Sequence, residues 1–214
     1  MDKFIQLVDS NIVINAYEFN LSIINNVWLY KNKIFTEDEL KGQKSLPILV
    51  EVRTKNFNLN LVPNRLKFSI KPGYQEPNEL LTSIVAKIVK LLPHTPYSAS
   101  GLNFIYHVIP EDKNIVKLSR SLFFQANSKL MQNFDSEDAR FGSYFSKDVI
   151  GTRLKLDVKP ITVMATGKEE DRLQFAFNFH INFSSNNALD RILNLISKWD
   201  EAKNLSDQIM NNID

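Results

Sequence analysis

Strict alternation of apolar and polar side chains predicts a strand over residues 172–183. Apolar side chains occupy the odd positions, and polar side chains occupy most of the even ones. Because successive Cβ atoms of a strand point to opposite sides of a sheet, this period of two predicts one buried and one polar face. Phe175, Phe177, Phe179 and Phe183 share the odd parity, so the buried face is predicted to be rich in Phe.

Other segments are also predicted to be strands, most of them from similar alternation, and residues 27–30 from their place after a predicted turn. They cover approximately residues 11–24, 27–30, 48–54, 57–61, 66–70, 101–109, 154–158 and 161–165. Pro63-Asn64 suits a tight reverse turn between two of them, because proline presets φ and Asn follows it easily. We also expect a turn at Asn25-Asn26, a break at Pro160 and a turn over residues 167–171 before the Phe-rich strand.

Three segments have apolar residues at helical spacing. The first begins at Pro77, where the missing N–H costs nothing, and ends before Pro93. The second covers residues 117–134. The third follows Asn186 or Asn187, either of which can act as an N-cap, and runs for more than 20 residues. A short capping box is predicted at residues 36–39.

The order of these elements indicates the fold class. We expect an α+β fold with a predominantly antiparallel sheet and about three main helices packed on its Phe-rich face. Residues 46–92 and 151–212 both read strand, strand, strand, helix. Two similar βββα halves are therefore possible, through duplication or independent arrival at a common arrangement. Because no Gly/Ser-rich linker divides the chain, residues 1–214 are predicted to form a single domain, with subdomains 1–110 and 111–214 as the alternative.

Composition indicates the class of protein and the compartment in which it is expected. With 214 residues, 43% of them hydrophobic and 23% charged, it is typical of globular proteins. The absence of cysteine excludes disulfides, thiolate nucleophiles and cysteine-ligated metal sites. We see neither a secretory signal nor an apolar run long enough to span a membrane, so a cytoplasmic location is expected. Abundant Asn, Ile and Lys are typical of AT-rich genomes, bacterial or viral ones among them.

The sequence contains no recognisable catalytic or metal-binding motif. Its six glycines form no phosphate-binding loop, and its three histidines lack metal-ligand spacing. We therefore expect no catalytic residue, metal or cofactor. Glu18, Glu51 and Asp157 lie in predicted strands, where a sheet would hold their carboxylates firmly. A hydrolase or nuclease whose carboxylates converge only in the fold remains open, because active sites are assembled in space.

Among possible binding sites, the clearest pattern in the sequence is a group of basic residues on predicted strands, although the net charge is only +2. If apolar positions point inward, three strands and their turns carry eight cations outward. These are Arg53, Lys55, Arg65, Lys67, Lys71, Arg153, Lys155 and Lys159. Such a face could contact phosphates. The Phe side chains occupy the positions that are predicted to face the core, so they are not expected to stack on single-stranded bases.

Two functional hypotheses follow. The first is a non-enzymatic protein-binding or assembly subunit of a bacterial or phage accessory system, since nucleophile, metal ligands and phosphate loop are all lacking. Its partner would be another protein or a second copy of the chain. The alternative is a nucleic-acid-associated protein that uses the basic outer sheet face. A membrane partner is not expected.

Overall fold

The computed structural model describes residues 3–183 and 187–213, which form one nine-stranded antiparallel sheet with helices. This confirms the α+β class and the antiparallel sheet. The strands are β1 (Lys3–Ala16), β2 (Lys44–Leu46), β3 (Leu49–Arg53), β4 (Phe57–Val62), β5 (Arg65–Ile70), β6 (Tyr97–Pro110), β7 (Ser143–Val149), β8 (Thr152–Ala165) and β9 (Lys168–Asn182).

Helical segments are shorter and more numerous than the three predicted. They are α1 (Asn26–Lys31), α2 (Glu37–Leu40), α3 (Pro77–Leu80), a π-helical turn (Leu81–Ala86), α4 (Lys87–Leu91), α5 (Ile115–Phe123), a 3₁₀ turn (Met131–Phe134), α6 (Ala188–Ser197) and α7 (Trp199–Asn211). The π-helical turn joins α3 to α4, so the helix predicted to begin at Pro77 is present.

The strand order is the same on both sides of a central pair, except that β2 adds a short strand beyond β3. The sheet runs β2-β3-β4-β5-β1-β6-β9-β8-β7, so β1 and β6 lie at the centre. Outward from them come β5, β4 and β3 on one side, and β9, β8 and β7 on the other. Each side thus consists of a long strand, a three-strand meander and a helical segment. The stretch 46–92 contains the meander but omits the long strand β1. The prediction for 151–212 is wrong, because that stretch contains only β8 and β9 before its helices: the two strands predicted over 154–165 are one strand, and β7 precedes residue 151.

One face of the sheet, here called the inner face, carries the core. Phe68 of β5, Phe104 of β6 and Phe177 of β9 are almost completely buried there. Trp199 of α7 packs edge-on against Phe104, with ring centroids 4.9 Å apart. The Tyr106 hydroxyl donates to Asp207 Oδ1 of α7 at 2.8 Å. Buried side chains from both sides of the sheet belong to one hydrophobic core.

The predicted strands near the N-terminus are misplaced. β1 ends at Ala16, although apolar residues continue to alternate as far as Ile23. Asn20 turns the chain there, because its side-chain oxygen accepts from Ser22 and its carbonyl accepts from the amides of Ile23 and Ile24. Residues 27–30 belong to α1, not a strand, since Asn25 caps that helix by accepting from the Trp28 amide.

Other boundaries also differ from expectation. β8 continues through Pro160, which lies beyond the last residue paired with β7. Within the described chain, only β9 pairs with β8 at this position, so proline, which has no N–H, is tolerated at this edge. β9 begins at Lys168, within the predicted turn. The helix predicted over residues 117–134 ends at Phe123, and the last helix is interrupted at Lys198.

Several local predictions are confirmed. The Pro63-Asn64 hairpin joins β4 to β5, and the capping box opens α2. The Phe-rich strand is the C-terminal part of β9. Asn186 lies outside the described residues, and α6 begins directly after Asn187. Among helices of the described chain, none has the length and apolar character needed to cross a membrane.

Candidate functional site: the outer sheet face and the free edge of β7

The predicted basic residues lie on or beside the face opposite the core, here called the outer face. In β5, for example, Lys67 alternates with buried Leu66 and Phe68. One group lies on β3, β5 and the adjoining turns (Arg53, Lys55, Arg65, Lys67 and Lys71), and the other lies on β8 (Arg153, Lys155 and Lys159). Since β5 and β8 are four strand spacings apart, the groups are separated by about 19 Å.

Ion pairs neutralise half of these cations. The pairs are Arg53–Glu51 at 2.7 Å, Lys67–Asp9 at 3.2 Å, Arg153–Asp148 at 3.1 Å and Lys159–Asp157 at 3.0 Å. The hydrogen bond from Arg53 lowers the pKa of Glu51. Within the described ranges, Lys55, Arg65, Lys71 and Lys155 have no ion-pair partner.

A ladder of asparagine side chains crosses the centre of the outer face between the two basic groups. Asn178 of β9 donates to Asn103 of β6 at 2.6 Å, and Asn103 donates to Asn11 of β1 at 2.9 Å. Asn11 in turn donates to Asp9 at 2.9 Å, which also accepts from Lys67. These asparagines are directly paired in the strand register. Each of the three amides donates a hydrogen bond within this network, and the asparagines themselves are polar but uncharged.

His107 lies on the outer face farther along β6 and is 8% exposed. Its Nδ1 lies 3.4 Å from Nη1 of Arg172, which forms an ion pair with Glu170 at 2.6 Å. Burial lowers the pKa of His107, the neighbouring Arg172 lowers it further, and a hydrogen bond with Gln174 acts in the opposite direction. The arrangement stabilises a neutral imidazole.

The carboxylates considered for catalysis do not come together. Glu51 is on β3 and Asp157 on β8, six strand spacings or about 29 Å apart. Glu18 lies in the exposed loop after β1. Across residues 3–183 and 187–213, no three His, Asp or Glu side chains are grouped as metal ligands.

The free edge of β7, the side that faces away from β8, was not predicted. Within the described chain, β8 is the only strand that pairs with β7. Tyr144 is 60% exposed and Phe145 is 49% exposed, on opposite faces of the strand. Sequence alternation could not reveal β7, because residues 144–148 are exposed on both faces. The one local signal in the sequence was Gly151, a residue that suits a tight turn. It is weak because Ile150, which precedes it, is β-branched and is unusual at the positive φ that it adopts here.

An apolar groove runs beside this edge on the inner face. Leu154 and Leu156 of β8 line it together with Phe145 of β7 and Ile209 of α7. Its volume is about 610 Å³, within the range of about 300–1,000 Å³ that is usual for ligand-binding clefts. Lys147 also lines the groove and adds a positive charge. An unpaired backbone edge and an apolar groove are therefore adjacent.

The other clefts combine these features less well. A groove of about 510 Å³ beside α1 and α2 is lined by Val27, Tyr30 and Leu40, but helical backbone groups bond within their own helix. A cleft of about 540 Å³ at the tip of the β8–β9 hairpin has mainly polar lining, and its Arg140 is paired with Asp171 at 2.7 Å.

Comparison with known proteins adds no family assignment. The chain matches no protein-family model, and a search of curated proteins finds no match.

Proposed function

We propose that this chain is a non-enzymatic protein-binding or assembly subunit that acts in the cytoplasm and contacts its partner through the free edge of β7. The observation that carries the proposal is the exposed edge strand beside an apolar groove. An unpaired edge offers a row of N–H and C=O groups to another extended chain. Tyr144 and Phe145 supply large apolar contacts next to it.

The expected energetics suit a specific contact. Full burial of a Phe side chain is worth about 1.5–3 kcal/mol, so covering the half-exposed Phe145 contributes about 1 kcal/mol. Each main-chain hydrogen bond adds about 0.5–1.5 kcal/mol net. Association costs roughly 4–15 kcal/mol in lost translational and rotational freedom, so we expect an added strand to use both the edge and the groove.

Light scattering coupled to size-exclusion chromatography tests the proposal on protein purified from its native host at low salt. We expect the wild-type chain to elute at the mass of a protein assembly, with protein-like ultraviolet absorbance. The double variant Tyr144→Ser with Phe145→Ser should elute as the monomer. Tyr17→Ser with Phe4→Ser is the matched control, because these exposed aromatics lie away from β7. An assembly that tolerates the β7 variant contradicts the proposal.

Nucleic-acid association through the outer face is the second candidate. Its supporting observation is that Lys55, Arg65, Lys71 and Lys155 lack ion-pair partners in the described part of the chain. In the same chromatography it predicts nucleic-acid-like absorbance that disappears at high salt. Lys71→Glu with Lys155→Glu should abolish that absorbance. Protein-like absorbance of the wild-type chain at low salt contradicts this candidate.

A further inference from the structure

We infer that β7 accepts an antiparallel extended segment of another protein, with apolar side chains toward the groove and an acidic side chain near Lys147. This inference rests on the proposed protein-binding function and names the chemistry of the partner. Three features support it: the way in which β2 covers the edge of β3, the side chains of β7 that face the groove, and the positive charge beside the groove.

The first half of the chain shows how an equivalent edge is covered. β3 and β7 occupy matching places, each three strands outward from the central β1–β6 pair. β2 pairs with β3 in antiparallel orientation. Beyond β2, the Gln43 side chain continues the pairing, because it donates to the Arg53 carbonyl at 3.0 Å and accepts from the Arg53 amide at 2.9 Å. Within the described residues, no strand covers β7 in this way. By analogy with β2, we expect a segment that pairs with β7 to be antiparallel to it.

The parity of β7 indicates the side-chain pattern of that segment. Phe145 is paired with Leu156 and Lys147 with Leu154, so both project on the inner face. Directly paired residues share a face, and a strand added beside β7 would place every second side chain on the groove side. Phe145, Leu154, Leu156 and Ile209 make that side apolar.

The charge beside the groove favours an acidic residue. Lys147 is exposed on the inner face and Lys155 lies on the outer face of the neighbouring strand. Neither lysine has an ion-pair partner among residues 3–183 and 187–213. A carboxylate opposite Lys147 would complete a pair at the rim of the contact.

A second copy of the chain fits this chemistry less well. If two β7 strands paired antiparallel about Ser146, each Phe145 would lie opposite Lys147 of the other copy. The inner-face positions of β7 are Ser143, Phe145, Lys147 and Val149, which include no carboxylate. Both Lys147 side chains would lack an acidic partner from the opposing strand.

The test uses fluorescein-labelled nine-residue peptides and the full chain. The probe has Val, Leu, Glu and Val at its even positions and Thr elsewhere. One comparison peptide has Lys in place of Glu, and another has N-methyl groups on alternate backbone amides. Dissociation constants come from fluorescence anisotropy for the wild-type chain, Lys147→Glu, and the control Lys90→Glu, which changes an exposed lysine of α4.

We expect the wild-type chain to prefer the Glu peptide, and N-methylation to abolish its binding. Lys147→Glu should weaken Glu-peptide binding about fivefold, as expected for an exposed ion pair, and should reverse the preference. Lys90→Glu should leave the affinity unchanged. Absence of Glu-peptide binding, equal binding of the N-methylated peptide, or no effect of Lys147→Glu overturns the inference.

The mass of the purified chain separates failure of this inference from failure of the proposed function. A dimer that Phe145→Ser converts to a monomer assigns the edge to a second copy, which overturns the partner chemistry but leaves protein binding at β7 intact. If the assembly in the native host is insensitive to the β7 substitutions, the proposed function fails as well.

Discussion

At the residue scale, His107 combines an ionisable group with a nearly closed environment. Its pKa is lowered by burial and by Arg172, so the folded state favours the neutral imidazole. The unfolded state binds a proton near the ordinary value of about 6.5. Below that pH the unfolded chain binds more protons than the folded chain, so stability falls as pH decreases.

We therefore predict that His107→Gln flattens the pH dependence of the free energy of unfolding below about pH 6.5. Urea titrations at several pH values on either side of that point measure this dependence. His94→Gln, which changes an exposed loop histidine, is the matched control. An unchanged slope in His107→Gln would contradict the assignment of this proton linkage to His107.

The neighbourhood of single residues was only partly predictable. Parity predicted the buried Phe side chains of β9, because it depends only on alternation along one strand. It also predicted the outward direction of Lys67 and Lys155. The ladder of Asn11, Asn103 and Asn178 could not be predicted, since it depends on which strands are neighbours and in what register.

At the scale of elements, tight backbone contact positions β7 against β8. Gly142 precedes β7, and a Cβ atom there would collide with the carbonyl oxygen of Val158. We predict that Gly142→Ala costs about 1–3 kcal/mol and loosens the start of β7. Hydrogen exchange should accelerate in β7 while β1 and β6 remain protected.

Gly167→Ala provides the comparison for that prediction. Gly167 has φ +79° in the β8–β9 turn, and a Cβ there meets no neighbour within 4 Å. The substitution should cost about 1 kcal/mol through backbone strain, without a selective effect on β7. Equal exchange of β7 in the two variants would argue against the steric role of Gly142.

Elements were predictable where local chemistry and burial agree. The Pro63-Asn64 turn and the Thr36 capping box need only neighbouring residues, and both are present. The loop after Ala16 alternates like a strand, but Asn20 supplies competing hydrogen bonds. The candidate site at β7 was missed because an edge strand exposed on both faces has no alternation to detect.

At the scale of the whole molecule, the two sides of the sheet share a core through the central β1–β6 pair. We predict one cooperative unfolding transition, and the two tryptophans can report it separately. Trp28 lies on α1 in the first half, and Trp199 begins α7 in the second. In Trp28→Phe and in Trp199→Phe, fluorescence of the remaining tryptophan and far-ultraviolet circular dichroism should give the same urea midpoint.

Unequal midpoints would contradict this prediction and would support subdomains near residues 1–110 and 111–214. The boundary could not be decided from sequence, because the repeated order of strands suits either arrangement. The long strands β1 and β6 join the two sides, and their pairing spans residues 3–16 and 97–110.

The two outermost strands of the sheet differ in length, and this difference affects the stoichiometry of any complex. A fibre can grow indefinitely only if every subunit has two binding surfaces, such as an unpaired strand at each edge of its sheet. On one side the described sheet ends at β2, a strand of only three residues that is followed by Pro47. Beside β2, the Gln43 side chain forms hydrogen bonds with the backbone amide and carbonyl of Arg53. If β7 is occupied as proposed, neither outermost strand of the described sheet offers a long open edge, and we expect complexes of fixed, small size in place of fibres.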